Sequence, residues 1–178
     1  MNLIDKLIER AKRTPYFHLE GYKERYWLIK PNPKRWFFKD FSVRIHRILR
    51  SDSDDCFHDH PWASMSIILR GGYWELMPIS QSQNPRLDFY FSKHVWRNSG
   101  AIVIRKANFR HKIMLPSGFD CWSMFVMFRK ARGWGFYTYN GFVPHKEYLG
   151  IPESTVDPLA GQSVKPRREN RDKPKGVK

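Results

Sequence analysis

The chain has 178 residues, of which 41% are hydrophobic and 16% aromatic, enough for one domain with a core of its own. The two cysteines, Cys56 and Cys121, are too few for a disulfide scaffold, and no apolar run approaches the roughly 20 residues that span a bilayer. The formal net charge of +15 favours polyanionic partners. The opening MNLIDKLIERAKR is too polar for a secretory signal, so the expectation is a cytoplasmic protein with no membrane partner.

Residues 2–13 predict a helix. Leu3, Ile4, Leu7, Ile8 and Ala11 recur at helical spacing and Asn2 is placed to cap. After RTPYF the texture changes to short strand-like runs: RYWLIK (25–30), RWFF (35–38) after the NPK turn, and FSVRIHRILR (41–50). SDSDD reads as a polar loop. CFHDH reads as a short strand ended by Pro61. SMSIILRGGYWELM (64–77) predicts a hairpin with Gly71-Gly72 as its two-residue turn. RLDFYF, AIVIRK, HKIML, CWSMFVMFR and GFYTYN continue the pattern. About ten strands with no convincing internal helix predict an all-β barrel or double-sheet jelly roll. From about Val156 hydrophobicity falls away, and residues 165–178 hold seven basic and two acidic residues. The predicted organisation is a helix and lead-in over 1–20, a β-barrel over 21–155 and a basic, disordered tail over 156–178.

Three histidines stand out. His58 and His60 are two apart, so on an extended strand they project to one side. His111 opens a strand after an apolar run and a short turn. HDHPWASMSIILRGG and GAIVIRKANFRH, taken together, resemble the two motifs of the cupin superfamily over roughly residues 40–130. The chain is also similar to small single-domain cupins of phage genomes. The resemblance implies a jelly-roll barrel with His58, His60 and His111 as ligands of a divalent metal, Fe²⁺ or Zn²⁺, both of which accept imidazole. It also implies that homodimers are common. The glutamate that usually follows the histidine pair is absent, Ser64 and Met65 standing in its place, and KANFR replaces the usual proline-glycine turn.

Other residues group around this centre. Hairpin pairing would put Ser64, Ser66, Ile68, Tyr73 and Glu75 on one face, making Glu75 a candidate general base or substrate contact and Tyr73 its neighbour. Arg47 heads a set with Arg44, Arg50, Arg105 and Arg110 that could bind a carboxylate or phosphate; alternatively these arginines keep edge strands soluble. Cys56 shares the face of the histidines as a small buried residue or a fourth ligand. The expected function is a metal-dependent cupin enzyme, of dioxygenase or isomerase/epimerase type, acting on a small anionic or nucleotide-like substrate. The alternative is a nucleic-acid-associated module on the same scaffold, linked to DNA modification, that uses the basic surface, the tail and the base–aromatic mixtures KPNPKRWFFK and SKHVWRNS.

Overall fold

The computed structural model describes residues 1–32, 34–35, 39–79 and 91–152. Most of the strand expected over 35–38, most of the one at RLDFYF and the tail from 156 lie outside the described residues.

The chain begins with α1 (Leu3–Lys12). Asn2 Oδ1 accepts from the Asp5 N–H at 2.9 Å and the Asp5 carboxylate accepts from the Asn2 N–H at 3.2 Å, a reciprocal cap that satisfies two otherwise orphaned donors. Its apolar side packs Ile8 and Ala11 against Tyr26, Ile45, Leu69 and Trp122. Strands follow in order: β1 (Pro15–Leu19), β2 (Lys23–Ile29), β3 (Ser42–Ile48), β4 (Phe57–His58), β5 (Trp62–Pro78), β6 (Ser92–Asn98), β7 (Ile102–Arg105), β8 (Lys112–Met114), β9 (Cys121–Lys130), β10 (Gly135–Thr138) and β11 (Gly141–Pro144). A five-residue helix, α2 (His145–Leu149), comes last. No helix among the described residues is long and apolar enough to cross a membrane.

All strand pairing among the described residues is antiparallel. An eight-stranded sheet runs β1-β2-β3-β9-β5-β6, with β7 and β8 also on β5, and a three-stranded sheet runs β11-β10-β4. The fold is all-β and of jelly-roll type, with a short N-terminal helix. Alternation sorts β3 into two faces. Ile45 joins the layer under α1. Ile48 instead joins Ile68, Tyr73, Ile113 and Cys121 in the inner core.

The expected hairpin at Gly71-Gly72 is not formed. β5 runs unbroken from Trp62 to Pro78, its first half pairing with β9 and β7 and its second with β6 and β8. The glycines serve close approach instead. A Cβ at Gly71, where φ is +74°, would collide with the Asp120 carbonyl oxygen, and one at Gly72 would lie 2.7 Å from both the Arg97 carbonyl oxygen and the Trp96 ring. A register shift between Ile68 and Arg70 reverses the strand's alternation. Ser64, Ser66, Ile68, Tyr73 and Glu75 are therefore all buried, through a bulge rather than a turn.

Candidate metal centre

His58 lies at the end of β4, and His60 two residues on. His111 lies one residue before β8. The main chains of His58 and His111 exchange two hydrogen bonds, at 3.1 and 3.0 Å, and the His60 N–H donates to the Ala107 carbonyl at 3.1 Å. These bonds bring the three imidazoles together with ring centres 5.0–5.2 Å apart. One ring nitrogen from each lies within 4.8 Å of the other two, and His60 Nε2 lies 3.0 Å from His111 Nε2.

One carboxylate is bonded to a ring and a second stands near another. Glu75 is fully buried. One oxygen meets His111 Nδ1 at 2.9 Å and Arg105 Nε at 2.6 Å, and the other accepts from Arg97 Nε at 2.8 Å. Burial by itself would raise the Glu75 carboxyl; the bonds from His111 and Arg105 outweigh it and hold the group at about 2. An ionised carboxylate only accepts, so His111 carries its proton on Nδ1 and presents a lone pair at Nε2. Asp52 Oδ2 lies 4.0 Å from His58 Nδ1 and accepts from the Ile113 N–H at 2.7 Å, while its other oxygen is bonded to the Tyr22 hydroxyl. Burial lowers all three histidines, His111 to about 4 with help from the Arg105 charge, and His60 with help from the other two rings.

Three neutral imidazoles, one locked in its ligating tautomer, fit a divalent metal. At 3.0 Å apart, His60 Nε2 and His111 Nε2 are close enough to bind one ion at about 2.1 Å each. Rings line the surroundings: Trp62 and Trp134 each stack 6.4 Å from His60, Phe136 lies 5.9 Å from His58 and Phe109 6.2 Å from His111.

The other expected residues fall unequally. Glu75 and Tyr73 join the centre through Arg105, whose Nη2 donates to the Tyr73 hydroxyl at 3.1 Å. Arg47 does not join it. It alternates to the α1 side of β3, bonds Asp120 at 2.6 Å and lies 5.4 Å over the Trp122 ring. Cys56 is buried away from the three ring nitrogens, its Sγ 3.4 Å from the Tyr148 hydroxyl; burial pushes its thiol up to about 11, which disfavours a thiolate ligand. Asp59 is fully buried and accepts from the Arg132 side chain, the Gly135 N–H and the Tyr137 hydroxyl, tying the histidine segment to β10. Asp52 had no sequence signal, since it sits in a polar loop.

No family model and no curated protein matches the chain. Solved structures resemble it at low identity. The polyketide cyclase RemF from Streptomyces resistomycificus is 15% identical with a TM-score of 0.43, over 63% of this chain and 68% of that one. Hydroxypropylphosphonic acid epoxidase from S. wedmorenis is 12% identical with a TM-score of 0.49, over 66% and 56%. The DMSP lyase DddQ from Ruegeria pomeroyi is 13% identical with a TM-score of 0.41, over 60% and 46%. The chain thus spans between about half and two-thirds of the length of these proteins.

Proposed function

We propose that the chain is a metal-dependent enzyme of cupin type that acts on a small anionic or nucleotide-like substrate. The observation that carries this reading is the trio of neutral histidines, one buried and two partly buried, with Glu75 fixing the tautomer of one and Asp52 beside another. Fe²⁺ or Zn²⁺ bound there would supply oxygen-activating or Lewis-acid chemistry, of dioxygenase or isomerase/epimerase type. His58, His60 and His111 would hold it, with positions left open for substrate. Glu75 is consumed by three hydrogen-bonding partners, so its part is to position His111 and neutralise Arg105 and Arg97 rather than to take a proton. The flanking aromatic rings offer a flat apolar surface for the uncharged part of a substrate.

Cobalt substitution tests this. The Co²⁺-loaded chain is expected to show visible ligand-field bands that vanish in His111→Ala and shift when a small anionic ligand enters an open position. Bands of equal strength in parent and variant would count against the site.

One observation favours the nucleic-acid reading as a second activity. Trp74 and Trp96, ring centres 5.3 Å apart, are partly exposed on the outer face of β5 and β6. By register His94 and Lys112 neighbour them on that face, and the chain carries a net charge of +15. Base stacking on such rings together with phosphate neutralisation gives binding that falls steeply with salt. Retention of a labelled single strand should drop at least tenfold between about 50 and 200 mM NaCl, and Trp96→Ala should weaken it further.

A further inference from the structure

The inner face of β2 and β3 carries bases without acids. Arg25, Arg44 and His46 are 6%, 8% and 8% exposed. Arg25 and His46 are direct partners in the β2–β3 register, and Arg44 lies two residues from His46 on the same face. Each holds a buried nitrogen with no hydrogen-bond partner among the described residues: Arg25 Nη2, Arg44 Nε and His46 Nε2. The Ser42 hydroxyl, wholly buried on the same strand face, has none either. No carboxylate among the described residues forms an ion pair with either arginine. Other contacts hold the guanidiniums from the side. Arg44 lies 4.4 Å from the centres of both the Tyr16 and Trp27 rings; Arg25 lies 4.8 Å over Tyr16 and donates Nε to the Phe17 carbonyl at 2.6 Å. His46 stacks on Phe125 at 4.9 Å.

Buried charge without a counter-charge is strongly destabilising, and burial lowers Arg44 only to about 10, so it stays charged at neutral pH. Elsewhere the molecule handles the same problem with protein groups: Arg105 and Arg97 share Glu75. Here the compensating group is missing from the described residues, and a bound anion would supply it.

We propose that Arg25, Arg44 and His46 form a seat for a multiply charged oxoanion, the phosphoryl-type end of a small substrate, inside the jelly roll. This deepens the reading of an anionic substrate given above and rests on it. Two guanidiniums without a counter-charge exceed the single charge of a carboxylate, and match a tetrahedral dianion whose three or more acceptor oxygens point in different directions. Lys23 links the seat to the metal centre. It lies two residues along β2 from Arg25, on the same face. Its partner across the register is Ile48, which packs with Tyr73 and Ile113, and Tyr73 reaches Glu75 and His111 through Arg105. A substrate seated by its anionic end would thereby extend its reacting end toward the three histidines.

The test uses the full chain, stripped of metal, with inorganic phosphate as probe. Melting temperature and calorimetric affinity are measured in phosphate, chloride and acetate at equal ionic strength, for the parent, Arg25→Met, Arg44→Met and the surface control Arg129→Met. Phosphate is expected to raise the parent's Tm more than either other anion does. Arg25→Met and Arg44→Met should bind phosphate at least tenfold more weakly, while Arg129→Met binds as the parent does. In chloride, Arg44→Met should melt no lower than the parent, because it removes an uncompensated charge. Should that variant not fold, Arg44→Lys and His46→Ala take its place, each with an expected severalfold loss of phosphate affinity. Equal response of the parent to all three anions would overturn the seat, as would an undiminished phosphate response in the inner-face variants. Because metal is absent throughout, this result is independent of whether the histidines bind one.

Discussion

Glu75 is the residue on which most of the inner site converges. Its two oxygens serve His111, Arg105 and Arg97, and removing the charge leaves two arginines facing a neutral amide. Breaking a buried pair on one side costs about 3–5 kcal/mol, so Glu75→Gln is expected to lower stability by about 3 kcal/mol in urea unfolding. The pH dependence has a definite sign. A carboxyl held below its ordinary value contributes stability that is fully present above that value and disappears as the folded group is protonated. For Glu75 the contribution should be lost between pH 4.5 and about 2. The parent's unfolding midpoint should fall across that window, with a shallower fall in Glu75→Gln. Equal slopes would mean that the carboxylate is not held as described. Arg47, by contrast, bonds Asp120 on the partly exposed outer side, so Arg47→Ala should change stability by no more than about 1 kcal/mol.

Among the elements, β5 decides the architecture. Its passage from one set of partners to another depends on Gly71, which combines a left-handed backbone with close approach to Asp120. Gly71→Ala should therefore cost more than Gly100→Ala. Gly100 also has positive φ, but nothing lies within 4 Å of a Cβ built there, so its cost should stay near about 1 kcal/mol. Equal losses in thermal unfolding would remove the close approach from the explanation. The same strand marks the limit of what a sequence can tell. Gly-Gly between two apolar runs has identical local signals for a tight turn and for a bent, bulged strand; the choice is made by Cys121 and Arg97 on the neighbouring strands, far away in the chain. The α1 helix was legible because its cap and its apolar stripe are local. β1 and β6 were not, because PYFHL and SKHVWRN lack clean alternation, and five-residue α2 is too short for periodicity to register.

At the scale of the whole molecule, spacing paired His58 with His60, the resemblance to the cupin motifs implied His111 as their companion, and the structure brings the three rings together. The groups that tune them were largely hidden. Asp52 looks like loop polarity until Tyr22 and Ile113 close on it, and Arg47 could be told from Arg44 only by knowing which side α1 covers. The resulting fold brings into one interior three imidazoles grouped closely enough to hold a metal ion and a basic face with no counter-charge among the described residues. Metal binding to the folded chain alone would stabilise it by mass action, by about 2.7 kcal/mol at a hundredfold excess of free metal over Kd.

The central claim is the metal centre, and the most direct measurement is calorimetric titration of the metal-stripped chain with Zn²⁺ and, under anaerobic conditions, Fe²⁺, beside the His58→Ala/His111→Ala double variant. The account predicts about one equivalent bound by the parent, with proton release small because the histidines are already neutral, and no comparable binding by the variant. Absence of binding to the parent, or binding of equal strength to the variant, would contradict it.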